Sequence, residues 1–279
     1  MKEGVGMSLI EIKDLHFSYQ NGEEILKGID LQIDERTTAI IGQNGAGKTT
    51  FVKLLKGLLK PSRGEILLNG MNLKEMTVAQ LARQIGMVFQ NPNDQIFKNV
   101  VLDEVMFGPL QIGMKKELAH KQALKALEMV GLEGFEDTNP YDLGLSRRKL
   151  VAIASILAMD TEIIILDEPT IAQDYAGKER IKDIILKLRK DGKTVITILH
   201  DMNFVADVFE RAIVFAMGNV ILDDSVKKVF TQKEVLEKAY LEQPDVMKLC
   251  HELGFKESYI NIDEFVKMSQ GKNNICRNE

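Results

Sequence analysis

Several features that many chains possess are scarce or missing in this sequence. It contains no tryptophan and only two cysteines, Cys250 and Cys276. Two thiols without the spacing of a metal site suggest a reducing compartment, the cytosol. No apolar run approaches the roughly 20 residues that a membrane helix needs, and the first residues lack the order of a signal peptide. If the protein works at a membrane, we expect other chains to span it.

The charge balance is mildly acidic, with 36 lysines and arginines against 41 aspartates and glutamates, a net charge of −5. This sign argues against non-specific nucleic-acid binding as the main activity, so we expect no nucleic-acid partner. The 279 residues, 45% of them apolar and 28% charged, suit a globular protein with one large domain and an appendage.

The most informative stretch is a glycine-rich loop between an apolar run at 38–41 and a helix-forming run at 51–55. The order of strand, loop and helix fits the P-loop pattern of two glycines, a lysine and a hydroxyl residue. Glycines let consecutive N–H groups curl around an anion, and the helix directs its positive end at the same phosphates. The alternative is a glycine-rich turn without a ligand. The predicted nucleotide-binding residues are Gly42, Gln43, Asn44, Gly45, Ala46, Gly47, Lys48, Thr49 and Thr50.

Two side chains of this loop have predicted chemical roles. Lys48 supplies a mobile positive charge for the β- and γ-phosphates and is a candidate catalytic residue. Thr49 offers a hydroxyl, a hard oxygen ligand that suits Mg²⁺. The loop therefore predicts a nucleoside triphosphate bound together with Mg²⁺.

A second apolar run, at 163–166, ends in two carboxylates, Asp167 and Glu168. The run predicts a core strand, and ligands of open α/β sheets bind at the carboxyl ends of the strands. Asp167 would hold Mg²⁺, directly or through water, and Glu168 would polarise or deprotonate the water that attacks the γ-phosphate. The alternative, a strand that ends in two solvated acids, is disfavoured by the P-loop upstream.

Apolar runs that alternate with helix-forming segments predict an α/β domain with buried parallel strands. The β-rich segment at 8–34 is expected to hold separate strands at 9–12 and 16–19. A helical insertion is expected at about 91–160, and its last helix is predicted at 147–158.

The predicted strands stop after about residue 228, which divides the chain into a main domain at 1–228 and an extension at 229–279. Helical spacing in the extension predicts three short helices. These lie at 233–241, 245–253 and 263–269.

In its ordered set of motifs the chain resembles the ATP-binding cassette (ABC) ATPases over roughly residues 8–225. The resemblance implies a P-loop NTPase fold, with a RecA-like parallel core, an antiparallel β subdomain, a helical subdomain and a small C-terminal helical extension. It also implies ATP hydrolysis. Beyond the P-loop, the residues that carry it are Tyr19, Gln90, Asp167-Glu168-Pro169-Thr170, Asp174 and His200.

The resemblance assigns a role to each of these side chains. Tyr19 would stack on adenine, although a strand aromatic is the alternative. Gln90 would reach Mg²⁺ or the attacking water, although a polar strand end is the alternative. Asp174 lies where the family has its D-loop, and His200 would donate a hydrogen bond to the γ-phosphate.

A narrower resemblance, to the energy-coupling-factor and cobalt-importer ATPases, rests on the segments at 89–97 and 107–110. It implies a subunit that powers import of a vitamin or a transition-metal ion from the cytoplasmic face of the membrane. The implied partners are a membrane-spanning coupling protein, a substrate-capture protein and a second ABC ATPase chain, identical or different. The extension would mediate pairing, and the segment at 97–110, with Asp103 and Glu104, would contact the coupling protein.

One motif departs from the family. Where the family has Leu-Ser-Gly-Gly-Gln, the signature that caps the partner subunit's γ-phosphate, this chain has Leu143, Gly144, Leu145, Ser146 and Arg147. Ser146, Arg147 and Arg148 are candidates for a substitute contact, because hydroxyl and guanidinium groups bind phosphate. We expect this chain's own P-loop site to be intact. We expect its signature region, however, to bind the partner subunit's nucleotide poorly.

Three other functions remain open at this point. One is a non-hydrolysing or weakly hydrolysing subunit that senses ATP in a heterodimeric ABC complex. The second is a soluble ABC ATPase of repair or translation, which would usually carry two cassettes or a long insertion. The third is a small-molecule kinase, which would share the P-loop but not the motifs around Glu168, Asp174 and His200.

Overall fold

The computed structural model describes residues 9–20, 22–255 and 259–267. The described part of the chain forms two sheets and a set of helices. Its strands are β1 (Ile10–Ser18), β2 (Glu24–Ile33), β3 (Thr38–Gly42), β4 (Arg63–Leu68), β5 (Met71–Asn72), β6 (Ile85–Val88), β7 (Ile163–Asp167), β8 (Thr194–Ile198), β9 (Arg211–Ala216) and β10 (Asn219–Ser225). Its helices are α1 (Lys48–Leu55), α2 (Val78–Gln84), α3 (Val101–Gln111), α4 (Lys116–Val130), α5 (Leu145–Leu157), α6 (Tyr175–Lys190), α7 (Met202–Val208), α8 (Val226–Thr231), α9 (Lys233–Lys238) and α10 (Asp245–Glu252).

The larger sheet confirms the predicted α/β core. Its strand order is β10-β9-β3-β8-β7-β6, and all neighbouring pairs except β10 with β9 are parallel. The five parallel strands are buried along their whole length, which explains their continuous apolar runs. Since β8 lies between β3 and β7, the glycine loop after β3 and the two carboxylates at the end of β7 flank the residues that follow β8.

The smaller sheet is antiparallel, in the order β2-β1-β4-β5, and its apolar side shares a core with α1 and the parallel strands. The prediction of separate strands at 9–12 and 16–19 is wrong, because β1 runs through both segments. Its pairing with β2 shifts register between Ile12 and Leu15, and Asp14 has φ 47°. This bulge interrupts the period-2 pattern of one continuous strand, which is why the sequence predicts two separate strands.

The helical insertion contains α3, α4 and α5, which pack on one another. Helix α5 begins at Leu145 rather than at the predicted residue 147, because Gly144 adopts the extended conformation of an N-cap just before it. Glu104 is only 3% exposed, and its carboxylate accepts hydrogen bonds from the backbone N–H groups of Phe97 and Lys98. Glu104 is therefore part of the core, and only Asp103 of the predicted pair is exposed.

The extension begins inside a helix, because residue 228 lies within α8. Helices α9 and α10 match two of the predicted helices, and residues 262–267 are helical where the third was predicted. Phe230, Leu236 and Met247 join the apolar core of the main domain. The predictions for residues 1–8, Cys276 and residues 268–279 lie outside the described residues. Among the residues that the structure describes, we find no helix with the length and apolarity to cross a bilayer.

Candidate functional site

The glycine loop leaves the end of β3 in a conformation that requires glycine at two positions. Gly42 has φ 148°, and a Cβ there would lie 2.2 Å from the carbonyl oxygen of Phe215. Gly47, the N-cap of α1, has φ 99°, and a Cβ there would lie 2.7 Å from Leu26 Cδ2. Since Gly47 has no side chain to cap α1, the first N–H groups of the helix are available to an anion.

Lys48 begins α1 and folds back over the loop. Its Nζ donates to the carbonyl oxygens of Gly42, at 2.6 Å, and Gln43, at 2.8 Å. Burial lowers the pKa of Lys48, while the negative charges of Glu168 and Asp167 oppose that shift. The ammonium is thus a buried cation at the loop, and its hydrogen-bond partners among the described residues are neutral carbonyls.

Asp167 lies across from the start of α1. It is 1% exposed, and the Thr49 hydroxyl donates to its Oδ1 at 3.5 Å. Burial raises the pKa of Asp167, which the hydroxyl bond from Thr49 partly offsets. Thr49, Gln90 and Asp167 border a cavity of about 380 Å³. Hydroxyl, amide and carboxylate oxygens therefore meet here, which is the donor set that Mg²⁺ prefers.

Glu168 is held between the ends of β6 and β8, the two strands that flank β7. Gln90, after β6, donates from Nε2 to Glu168 Oε2 at 2.8 Å, and His200, after β8, lies with Nε2 2.9 Å from Glu168 Oε1. Together these contacts lower the pKa of Glu168, and the His200 hydrogen bond contributes most. Glu168 also has φ 50°, which is unusual for a residue with a side chain. The carboxylate is therefore ionised at neutral pH and fixed in direction.

These groups line one cavity of about 700 Å³. The structure brings together ten of the predicted site residues there, and it adds Ile25 and Ile171, which the sequence analysis missed because isolated isoleucines match no motif. Tyr19 is 46% exposed at the edge of the cavity, with its hydroxyl 3.3 Å from Thr50 Oγ1. The predicted residues that line the cavity are Tyr19, Asn44, Gly45, Gly47, Lys48, Thr49, Thr50, Gln90, Glu168 and His200.

The remaining predicted site residues do not line this cavity. Gly42 and Gln43 contribute carbonyls to Lys48, and Ala46 is buried within the loop. Asp174 caps α6, because its Oδ1 accepts from the N–H of Gly177 at 2.8 Å. A role for Asp174 at a nucleotide stays a prediction.

The start of α5 is occupied by contacts within the chain. The Ser146 hydroxyl donates to Gln173 Oε1 at 2.8 Å, and Gln173 Nε2 donates back to the Ser146 carbonyl at 3.2 Å. Arg148 donates to Asn93 Oδ1 at 2.7 Å and to three carbonyls of the preceding turn. The Arg147 guanidinium lies 4.8 Å from the centre of the Phe135 ring. A substitute contact from Ser146, Arg147 or Arg148 to a partner's phosphate stays a prediction.

The arrangement as a whole can bind a polyphosphate and activate water beside it.

A family model described as ABC transporter matches residues 26–171. Over 255 residues the chain is 38% identical to the energy-coupling factor transporter ATP-binding protein EcfA of Methanocaldococcus jannaschii, covering 90% of this chain and 91% of that protein.

Solved structures agree with this match. CbiO1 from Clostridium perfringens, part of the ABC transporter complex CbiONQ, has a TM-score of 0.74 and 33% identity over 88% of this chain and 98% of its own. A dimeric ATP-binding cassette in a post-hydrolysis state with ADP and Pi has a TM-score of 0.72 and 31% identity, covering 78% of this chain and 98% of its own. The chain therefore belongs to the ABC transporter family, among its ATP-hydrolysing subunits of the energy-coupling-factor type.

Proposed function

We propose that this chain binds Mg·ATP in the 700 Å³ cavity and hydrolyses it beside Glu168, as the ATPase subunit of an import transporter. The observation that carries the proposal is the fixed Glu168 carboxylate, hydrogen-bonded by Gln90 and next to His200 at the mouth of the glycine loop. A phosphate chain on the loop would end close to this carboxylate. Tyr19, which lines the same cavity, offers an aromatic ring to the base of the nucleotide.

Binding begins with the loop and the start of α1. Phosphate oxygens accept from the loop N–H groups and replace the carbonyls of Gly42 and Gln43 as partners of Lys48 Nζ. This exchange favours binding, because a buried ammonium gains more from an anion than from a neutral carbonyl. The ring of Tyr19 offers an exposed face to the purine, and Ile25 adds apolar contact.

The residues around Asp167 fit a magnesium ion. Thr49, Asp167 and Gln90 would hold it, since they offer oxygens of three kinds around one cavity. Bound Mg²⁺ would neutralise charge on the β- and γ-phosphates. Asp167 is nearly fully buried, so a cation beside it would also offset the burial that raises its pKa.

Hydrolysis then depends on Glu168 and His200. The ionised Glu168 carboxylate orients the attacking water and accepts its proton, a contribution of about 10²–10⁴-fold. His200 holds Glu168 in position from the end of β8 and lies where it can also donate to the γ-phosphate. Gln90 fixes the other carboxylate oxygen and connects the site with the helical insertion.

The transport machinery contacts a second surface of the molecule. An apolar groove of about 510 Å³ is lined by α2, α3 and the end of α5, and it includes the exposed ring of Phe97. A cytoplasmic segment of the membrane-spanning coupling protein occupies this groove, while the substrate-capture protein takes the vitamin or metal ion. The chain thereby works at the cytoplasmic face of the membrane. Charge reversal at the exposed Asp103 that leaves transport unchanged would argue against this contact.

The residues at the start of α5 favour pairing with a second, different ABC ATPase. Leu145 is exposed where the family has glycine, and the hydroxyl of Ser146 is bonded to Gln173. Such a surface caps a partner's phosphate poorly, so one composite site of the heterodimer relies on the partner's signature. The extension at 229–279 contributes to pairing. Hydrolysis at several turnovers per second by a homodimer of the purified chain would contradict this proposal.

The decisive experiment for the function is Glu168→Gln in the complex co-purified from membranes. We expect ATP binding to persist while hydrolysis falls by about 10²-fold or more, because the amide cannot accept the proton. Glu162→Gln is the matched control, since Glu162 is an exposed carboxylate just before the opposite end of β7. Unchanged hydrolysis in Glu168→Gln would instead support the ATP-sensing subunit that hydrolyses weakly or not at all.

A further inference from the structure

Helix α5 holds the loop that carries Gln90 through a buried lysine. Lys149 is 2% exposed, and its Nζ donates to the carbonyl oxygen of Gln90 and, at 3.4 Å, to that of Phe89. Burying an ammonium is unfavourable unless its hydrogen bonds are satisfied inside the protein. Among the described residues, no carboxylate lies within salt-bridge distance of Lys149. The two carbonyls of the loop therefore compensate for its burial.

Two further contacts tie the same loop to α5. The Gln95 side chain accepts from the N–H of Phe89 at 3.0 Å and donates to the Ala152 carbonyl at 2.9 Å. It also donates to Ser155 Oγ at 3.1 Å. One turn earlier in α5, Arg148 donates to Asn93. In the described part of the chain, the side chains of Lys149, Gln95 and Arg148 thus attach the loop at 89–95 to α5, and that of Lys149 bonds to Gln90 itself.

Gln90 connects Lys149 with the catalytic carboxylate of Glu168 through hydrogen bonds. Lys149 holds the backbone of Gln90, and the side chain of the same residue donates to Glu168 Oε2 at 2.8 Å. A short side chain such as that of Gln90 can reach Glu168 only if its own backbone is correctly placed. Lys149 does not line the nucleotide cavity, so its hydrogen bond to the Gln90 carbonyl is its contact with the site.

We propose that Lys149 is a positioning residue for ATP hydrolysis, which sets the backbone of Gln90 so that its amide orients Glu168. The proposal rests on the proposed function, since it assigns Glu168 to water activation. Lys149 also lies one turn after Leu145, so the start of α5 and the catalytic carboxylate belong to one connected set of contacts.

The test is Lys149→Met in the co-purified complex, because methionine fills the space without donating a hydrogen bond. We expect kcat for ATP hydrolysis to fall by about 10- to 100-fold, as for other small misplacements of catalytic groups. KM and ATP affinity should stay near the wild-type values, since Lys149 does not line the nucleotide cavity. Lys149→Arg, which keeps the donors, should recover part of kcat.

Lys56→Met is the matched control. Lys56 is a partly buried lysine, and its Nζ donates to the carbonyl oxygen of Ile85, at the other end of β6. Both variants should lower Tm, but Lys56→Met should leave kcat unchanged. If Lys149→Met fails to fold, Gln95→Leu removes the neighbouring tie and should give a smaller loss of kcat with unchanged KM.

A double mutant separates positioning from packing. In a Gln90→Ala background, Lys149→Met should have no further effect on kcat, because its route to Glu168 is already removed. Unchanged kcat in Lys149→Met, or losses that add fully in the double mutant, would overturn the inference. If Glu168→Gln lowers hydrolysis while Lys149→Met does not, this inference fails and the proposed function stands; if Glu168→Gln has no effect, both fail.

Discussion

Two helices of this molecule begin alike and end up with opposite capacities for binding an anion. Helix α1 follows Gly47 and helix α5 follows Gly144, and neither glycine supplies a side-chain cap. The start of α1 opens into a 700 Å³ cavity beside Lys48. The start of α5 presents the exposed side chain of Leu145 and a hydroxyl that Gln173 already engages.

The difference shows that a helix N-terminus becomes a phosphate site through its neighbours. Around α1 the loop glycines remove side chains, and the Lys48 ammonium is bonded to neutral carbonyls, so an anion that replaces them forms stronger, charge-assisted hydrogen bonds. Around α5 the polar groups are satisfied within the chain, so an anion would have to displace them. Capacity to bind an anion thus depends on how much stronger its hydrogen bonds are than the internal ones that it replaces.

The largest expected effect is a loss of ATP affinity when the start of α1 is changed. Lys48→Ala removes the buried cation that phosphate oxygens would pair with, so ATP affinity should fall by about 100-fold or more. Lys60→Ala, which removes an exposed lysine beyond the end of α1, should leave affinity unchanged. Isothermal titration of the purified chain measures both. Equal affinities for the two variants would remove Lys48 from the site.

The next test compares the backbone at Gly42, in the glycine loop, with that at Gly144, before α5. Gly42→Ala would push a Cβ to 2.2 Å from the Phe215 carbonyl at a φ of 148°, so unfolding free energy should fall by about 3 kcal/mol or more. Gly144→Ala has open space and a φ of −62°, so its effect should stay within about 0.5 kcal/mol. Chemical denaturation compares them. Similar losses would show that the loop does not need its glycine.

Restoring the family's residues at α5 sharpens the comparison. The triple change Gly144→Ser, Leu145→Gly and Ser146→Gly removes the exposed leucine and frees Gln173. We expect the homodimer's ATPase rate to rise by about 10-fold, since one gained hydrogen bond to a charged group is worth 1.5–3 kcal/mol. Steady-state phosphate release measures it. A rate that does not rise would mean that the start of α5 is not what limits the homodimer.

The smallest expected effect concerns pH and Glu168. Because the folded-state pKa of Glu168 lies below its ordinary value of 4.5, its ionised form stabilises the fold above that value. This contribution is lost as the pH falls through the folded-state pKa. Glu168→Gln should therefore lower the Tm slightly at pH 6 and less at pH 3, whereas Glu162→Gln should not. A constant difference between Glu168→Gln and the wild type at all pH values would contradict the shift.

Sequence motifs pointed to the residues around the start of α1, but they did not point to the contacts at the start of α5. Gly42, Lys48 and Glu168 belong to patterns whose spacing follows from how a strand, loop and helix surround phosphate. Leu145 and Ser146 belong to no such pattern, so the start of α5 was placed two residues late. Their partners lie far along the chain, as Gln173 does for Ser146, and pattern reading along the sequence does not pair them.

The same limit applies to the residues around the nucleotide cavity. Ile25 and Ile171 line it only because the antiparallel sheet and the loop after β7 fold against the glycine loop. The role of Lys149 could not be predicted from the sequence for a related reason. Its hydrogen-bond partners are two carbonyls that lie 59 and 60 residues away in the sequence. Motifs locate the reacting groups, whereas tertiary packing determines what holds them in place.

The most direct test of the account is Mg·ATP binding by the purified wild-type chain. We expect one ATP per chain, held by the loop that begins at Gly42, and we expect Lys48→Ala to weaken this binding and Gly144→Ala to leave it unchanged. A wild-type chain that shows no affinity for Mg·ATP would contradict the account at its centre.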